Sequence, residues 1–460
     1  MSEEYKKFLE KTEKISFDKE HRKKIHFNIS RYYSAVEKGR KQYSNLELAK
    51  DRASKIKQNV INNLENYLTE FEGNFNKGGG KIIWAQNKEE VIEKVKKIIE
   101  KHNVKSIVKS KSMTTEEIDF NESFEKEKVE ILETDLGEYI VQLDNEKPYH
   151  IVTPAMHKSK EDIAELFNRK FNTPIDNTPE QITKFVRNLL REKFLEADIG
   201  VTGGNFIIAD IGGIAVTENE GNTLLSVSFP QIHIVIVGIE KLIPSIKDLD
   251  LFWSLLSTYG TGQKITVYNT ILRGPKKEDE IDGPEEMYVF LLDNERTKIL
   301  ELKEQRRALC CIRCGACLNF CPVYKNIGGH AYGSTYSGPI GSIITPHLKG
   351  IEKFKHLSFA SSLCGKCTQE CPVKIDIHKL LLFNRRDFSK KKYSKKNENI
   401  TMYAYKKAME NRWMIDAANS KIKNCALNTL FNKFWGPRRE MPVVKEKSFN
   451  KRWKEEREKR

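Results

Sequence analysis

A chain of 460 residues is too long for one ordinary hydrophobic core, so two or three domains are expected. Its 39% hydrophobic and 31% charged residues describe a hydrated globular protein, and no run approaches the roughly 18 apolar residues of a membrane helix. The formal charge of +15 is concentrated: residues 386–460 hold 22 Lys or Arg against 9 Asp or Glu, a net +13, and the rest is close to neutral. A basic tail can meet acidic partners, anionic lipid or nucleic acid, and charge alone does not choose among them.

Residues 1–70 read as helical and polar. The opening MSEEYKKFLEKTEK has no apolar h-region, so no secretory signal is expected. Further on, Ile56, Val60, Leu64, Tyr67, Leu68 and Phe71 recur at three- and four-residue steps, the pattern of one helix packing one face. The breaker cluster NKGGG at 76–80 ends it.

From Lys81 strands alternate with helices. KIIWA predicts a strand and NKEEVIEKVKKIIEKH a helix capped by Asn87. SIVKS, VEILETD, HIVTPA, HIVIVGIE, KITVYNTI and MYVFLLD predict further strands. TTEEIDFNESFEKE and the stretches near 160–168, 178–198 and 246–258 predict helices. That alternation implies an α/β layer with a largely parallel sheet. The charged segment NERTKILELKEQRRAL then predicts a helix leading into the cysteines. The domains expected are a helical segment at 1–70, an α/β domain at 71–300, a cysteine-rich domain at 301–385 and a basic helical tail at 386–460.

Seven of nine cysteines fall in two runs, CIRCGACLNFCPVY from Cys311 and SSLCGKCTQECPVK from Ser361. Both contain C-x2-C-x3-C-P, and Ser361 stands where the second run should repeat the leading cysteine. Cubane iron–sulfur clusters take thiolates at this spacing, the Cys before Pro serving the other cluster of a pair. The rule gives Cys311, Cys314, Cys317 and Cys371 to cluster one, and Cys321, Cys364 and Cys367 to cluster two. Structural zinc uses C-x2-C pairs but seldom the third cysteine and the Cys-Pro exit. The eighth corner stays open among Cys310 or Cys425, the Ser361 oxygen, solvent or a partner, and a three-iron form. A three-cysteine site without a fourth protein thiol is favoured. Cys310 reads as a spare apolar residue, and Cys425, on a stripe with Ile422 and Leu430, as a core residue. A forty-residue spacer with helical flanks predicts an α-helical two-cluster module. This cysteine usage belongs to a reducing interior, so a cytoplasmic location is expected, with a peripheral place at the inner membrane face left open.

Three α/β stretches stand out: KSKSMTTEEI (109–118), TDLGEYIVQL (134–143) and GVTGGNFIIADIGGIAVTENEGN (200–222). With GGHAYGSTYSGPIG and the cysteine runs, in this order, they closely resemble the lactate utilization protein B family. The resemblance implies a lactate-utilization domain, with a fold similar to CoA-transferase and ribose-5-phosphate isomerase sheets, followed by a two-[4Fe–4S] ferredoxin-like domain. It also implies electron transfer as L-lactate is oxidised to pyruvate, and the same seven cysteines as cluster ligands. The partners implied are a heterodisulfide-reductase-like cysteine-rich subunit and a second lactate-utilization-domain subunit, with a final acceptor of unknown identity. One departure is ADIGG at 209–213, where a Glu-Thr-Gly-like run is expected and Asp210 and Ile211 stand instead.

Read from the residues alone, Gly203 and Gly204 suit a turn that lets backbone approach an anion, flanked by Thr202 and Asn205. Lys109, Ser110, Lys111 and Ser112 follow a strand, where such folds place ligands, with Asp135 and Glu138 nearby. The competing reading is turn glycines and capping residues. No dinucleotide or P-loop motif is present, and no catalytic residue can be named. Among His150, His157, His233, His330, His347 and His378, the pair His330 and His347 lies between the cysteine runs and could tune a cluster. Two rival functions remain: a self-contained 2-hydroxyacid oxidoreductase with its substrate or a flavin in the α/β pocket, and a redox-responsive regulator that binds nucleic acid through the tail. Nucleic acid is not the expected partner.

Overall fold

The computed structural model describes residues 2–390, 393, 396–431 and 440–459. Residues 1–387 form one compact unit and residues 388–460 a second. The tail sequence WGPRREMP begins at Trp435, and its first five residues lie outside the described residues.

Four helices open the chain, Glu3–Phe17, Lys19–Arg40, Leu46–Asn62 and Leu64–Lys77. Ser2, Asp18 and Asn45 cap the first three by accepting backbone N–H groups. The single helix expected across 47–75 is two. Asn63 departs from helical geometry (φ −126°, ψ 34°), and its side-chain amide bonds the Asn59 carbonyl, the local competition that asparagine offers a helix.

A six-stranded, wholly parallel sheet follows. Its strands are β1 (Lys81–Ala85), β2 (Ser106–Lys109), β3 (Glu130–Glu133), β4 (Ile199–Thr202), β7 (Ile232–Gly238) and β10 (Glu286–Leu292). Their order is β1-β10-β7-β4-β2-β3, which puts the last strand of the chain between β1 and β7. A second sheet of β5 (Phe206–Ile208), β6 (Gly213–Glu218), β8 (Leu242–Ile243) and β9 (Tyr268–Leu272) is ordered β8-β5-β6-β9. Every residue of β7 is buried, as its unbroken β-branched run requires of a strand covered on both faces. Helix Lys88–His102 covers one face through Val91, Val95 and Ile98, and helix Leu64–Lys77 covers the other through Leu68, Phe71 and Phe75. Helices Lys160–Phe171 and Pro179–Glu196 close the β2–β3 end.

The structure corrects four expectations. HIVTPA is a loop, because the Tyr149 N–H donates to the Pro154 carbonyl and the Val152 and Thr153 N–H groups donate to His150 Nδ1. TTEEIDFNESFEKE makes two short turns of helix, Met113–Glu117 and Phe120–Ser123, split by Asp119 at φ +51°. NERTKILELKEQRRAL is a turn of helix at Arg296–Leu300 and a 3-10 segment at Gln305–Cys310. Cys425 is exposed, not a core residue, and Ile422 on the same helix, Ser420–Ala426, is exposed with it; the side chain of Leu430 lies outside the described residues.

Gly200 shows how closely the sheet is packed. A Cβ there would lie 1.8 Å from the Ser226 carbonyl oxygen. Gly200→Ala is therefore expected to cost at least the ~1–3 kcal/mol of core overpacking. A clear drop in the thermal midpoint checks this, and an unchanged midpoint would mean that the Ser226 turn yields freely.

Candidate functional site

The two cysteine runs fold as a repeat. Arg313 (φ +62°) matches Leu363 (φ +55°), and Gly315 and Gly365 share φ +79°. One-turn helices Ala316–Asn319 and Lys366–Gln369 follow. The match extends to the odd position. The Arg313 N–H donates to Cys311 Sγ at 3.4 Å, and the Leu363 N–H donates to Ser361 Oγ at 3.2 Å. Ser361 thus holds the backbone place of Cys311 in the repeat, with oxygen in place of sulfur.

Charge coupling among the thiols runs mostly within two groups. Burial pushes Cys314 and Cys317 far up, and a charge on Cys311 adds to both. Cys371 is raised to about 12 by burial and then by Cys311. Burial raises Cys367 to about 12, with Cys321 and Cys364 adding to it. Cys311, Cys314, Cys317 and Cys371 are coupled mainly to one another, and Cys321, Cys364 and Cys367 to one another, with one coupling, Cys317 to Cys367, across the two groups. The first is buried apart from Cys311, while Cys364 in the second is exposed.

Thiolates in such a place need compensation. Backbone N–H groups supply part of it: Ala316 toward Cys314, Ile340 toward Cys317, Val323 and Tyr324 toward Cys321, and Ile375 toward Cys371 at 3.3 Å. Cations supply the rest. Lys50 lies near Cys371 and bonds the Gln369 carbonyl, while the buried Lys57 lies near Cys310 and Cys311. Four thiolates on one zinc, with Zn–S of ~2.3 Å, bring sulfurs within ~4 Å of one another. Among the described residues no three cysteine sulfurs all lie within 4.8 Å of one another. Cubane ligands sit on different irons and stand wider, so the thiols fit clusters better than single metal ions. His330 bonds the Lys147 carbonyl and packs on Tyr149 and His157, and the buried Cys310 accepts from Arg307.

A cavity of about 640 Å³ adjoins the first cysteine loop. Its walls follow the carboxyl ends of β2 (Ser110–Thr114), β4 (Gly203–Asn205) and β7 (Lys241). From β2 the chain runs outward to β3, and from β4 inward to β7, so the cavity lies at a topological switch point of the parallel sheet. Gly203 and Gly204 need closeness here rather than a turn conformation. A Cβ at Gly203 would meet Ser112 Oγ at 2.6 Å, and neither glycine has positive φ. Thr217, Glu218, Asn219, Glu220 and Asn222, the TENEGN stretch, also line it. Asp210 does not; it accepts from Ser245 Oγ and the Ile246 N–H instead.

The cavity's charges are unequal. Lys111 is held by Asp135 Oδ2 and the Val152 carbonyl, both at 3.1 Å. Arg313 gives one nitrogen to Glu240 at 3.2 Å and lies over the Tyr336 ring, leaving Nε and Nη1 without partners. Lys241, 9% exposed, makes no hydrogen bond or ion pair among the described residues. Burial and the Arg313 charge lower it to about 8. His150, lowered to about 3 by burial and the Lys111 charge, is a neutral wall residue. Lys109 is set deeper. It bonds Glu133 at 2.7 Å and Glu116 at 3.3 Å, and Glu138 beside them is raised well above the carboxylate range by burial and by the Glu133 charge.

Known proteins account for both halves. A model described as the LUD domain matches residues 68–292, and one described as a 4Fe–4S dicluster domain matches residues 307–375. Curated proteins named lactate utilization protein B, from Bacillus thuringiensis, Bacillus cereus and Bacillus anthracis, are each 45% identical over 357 residues, covering 78% of this chain and 75% of theirs. The chain belongs to the lactate utilization protein B family. A solved DUF162 family structure from Deinococcus radiodurans is 11% identical and covers 50% of this chain and 98% of its own, with a TM-score of 0.29. The family order, a LUD domain and then a 4Fe–4S dicluster domain, is the order of the α/β layer and the cysteine repeat here. No described helix is long and apolar enough to cross a membrane.

Sequence reasoning missed Lys241, Arg313 and Asn319. Lys241 closes the run HIVIVGIEK without any local signature, and the cysteine spacing hid the other two. Only burial, combined with the absence of partners, reveals them.

Within the lactate utilization protein B family, Ser361 supplies a direct test of the repeat. Ser361→Cys is expected to raise iron per chain or convert the second site to a stable four-iron form. Iron and sulfide analysis with electron paramagnetic resonance on anaerobic protein measures this, and an unchanged spectrum would deny Ser361 its place at the corner.

Proposed function

We propose that this chain is the iron–sulfur electron-transfer subunit of a cytoplasmic complex that oxidises L-lactate to pyruvate. The observation that carries the reading is the pairing of seven motif cysteines in two adjacent localities, within a chain of the lactate utilization protein B family. Cys311, Cys314, Cys317 and Cys371 hold the first [4Fe–4S] cluster. Cys321, Cys364 and Cys367 hold the second, which has no fourth protein thiol. Bound clusters would supply one-electron carriage, and lactate gives up two electrons and two protons as it becomes pyruvate. The chain's own part is to keep the thiolates charged with N–H groups, to bury the first site, and to leave Cys364 at the surface facing a partner. The partners are a heterodisulfide-reductase-like cysteine-rich subunit and a second subunit with a lactate-utilization domain; the +13 tail allows a peripheral place at the inner membrane face.

Co-purification of the native complex, assayed with L-lactate and other 2-hydroxyacids, tests the reading. Lactate-dependent cluster reduction in the complex is the expected result. A complex that leaves the clusters oxidised would remove lactate from the account.

The cavity beside Cys314 favours a second reading, a chain that oxidises a 2-hydroxyacid by itself. Turnover by the purified chain with an artificial acceptor would favour it over the subunit reading.

A further inference from the structure

The switch-point cavity contains an ammonium with no direct partner among the described residues. Lys241 is more than nine-tenths buried, lines the cavity, and makes no hydrogen bond or ion pair there, Glu240 and Cys311 acting on it only at longer range. A buried ammonium without a partner is costly, so a site that keeps one is poised for an anion. On the same walls Arg313 Nε and Nη1 are also buried without a hydrogen-bond partner among the described residues.

Lys111 is paired with Asp135. Glu218 accepts the Thr223 and Leu224 N–H groups and Glu220 the Leu136 N–H, neutral donors that leave both carboxylates their charge. Lys241 and the open side of Arg313 face the cavity, and the two carboxylates on its other wall oppose a phosphate dianion more than a monoanion. Met113, Val152, Met156 and Leu256 give the cavity an apolar side, while Ser110, Asn205 and Thr261 offer neutral polar groups. The volume is within the range of small-molecule sites.

Position gives the site its meaning. A Cβ on Gly260, in the cavity wall, would lie 3.7 Å from the Cys314 carbonyl oxygen, and one on Gly315 would touch Val152, Ile151 and His150. Lys241 itself senses the charge of Cys311. A molecule in the cavity would be separated from the first cysteine locality by that loop alone.

We infer that the cavity binds an organic monocarboxylate of the 2-hydroxy- or 2-oxoacid type, with its carboxylate on Lys241 and Arg313, beside the first cysteine locality. This assignment rests on the lactate reading above and places that chemistry in this chain rather than in a partner.

Anaerobically purified, iron-loaded chain should be titrated with L-lactate, pyruvate, inorganic phosphate and flavin mononucleotide, by calorimetry and by the electron paramagnetic resonance signal of the reduced protein. Saturable binding of lactate or pyruvate, with a change in the signal, is expected. Lys241→Met should weaken it at least about tenfold, the loss expected for a charged hydrogen bond. Gly260→Leu should weaken it similarly by filling the cavity without removing a charge. Both variants should keep the wild-type iron content. The assignment is overturned if neither acid binds, if both acids bind the two variants as they bind wild type, or if only phosphate or flavin mononucleotide binds. An active native complex whose isolated subunit binds no acid would overturn this assignment and leave the subunit function standing. An inactive complex with an acid-binding subunit would do the reverse.

Discussion

Arg296→Met should lower stability by about 3–5 kcal/mol, the penalty for breaking a buried ion pair from one side. Arg296 is 1% exposed and bridges two buried carboxylates. Its Nη1 and Nη2 donate to Glu117 at 2.9 and 2.7 Å, and its Nε to Glu240 at 2.6 Å. Glu117 also accepts from Tyr336 at 2.6 Å and from Asn294, and Glu240 from Arg313 at 3.2 Å. Removing the guanidinium leaves two carboxylates desolvated beside fewer donors. Adding Glu117→Gln should recover part of the loss, because Glu117 is then no longer an unpaired buried charge while Glu240 still pairs with Arg313.

The pH dependence follows from the same knot. Burial works to raise Glu240, but Arg296 and Arg313 overcome it and hold the carboxyl at about 2, below its ordinary 4.5. A depressed carboxyl contributes stability above the unfolded value, and that contribution fades as pH falls from about 4.5 toward about 2. The wild-type chain should therefore lose stability across this window. The variant should lose less there, since Glu240 no longer has the guanidinium that depressed it. Chemical denaturation at pH 7 and at pH 3 measures both, and a variant as stable as wild type at pH 7 would show the knot to be energetically idle.

The second large effect concerns iron. Cys314→Ala should remove about half of it, because Cys314 lies in the locality of Cys311, Cys317 and Cys371 and the other three thiols lie in theirs. Iron and sulfide per chain fall together, and the signal that remains belongs to the second site. Retention of full iron would mean that Cys310, buried on the adjoining 3-10 segment, has taken the place. Complete loss would mean that neither site assembles without the other.

Much of this architecture can be read in the residues. The repeat of the two cysteine runs is legible because C-x2-C-x3-C-P recurs, and the backbone repeats with it at Arg313 and Leu363, Gly315 and Gly365. β7 and β10 are legible because unbroken β-branched runs mean burial on both faces. Other elements were hidden. β4 through β6 are interrupted by Gly200, Gly203, Gly204 and the 211–213 turn, and glycines read as breaks although here they serve close approach. HIVTPA has the composition of a strand, yet His150 and Pro154 close it into a loop. The cavity was legible only in outline, since Ser110, Lys111 and Gly203 follow strands. Its unpaired cation was not, because partnership is a property of the fold and leaves no trace in local sequence.

The same ionic knot ties the two halves of this chain together. Glu117 and Glu240 come from the LUD region, Arg313 and Tyr336 from the dicluster region, and Arg296 from the short link between them. The link is a weld, not a hinge. Recombination cannot deal the two halves as independent cards, for each would arrive with raw charge on its inner edge. Lineages that keep this knot must let both halves drift in step.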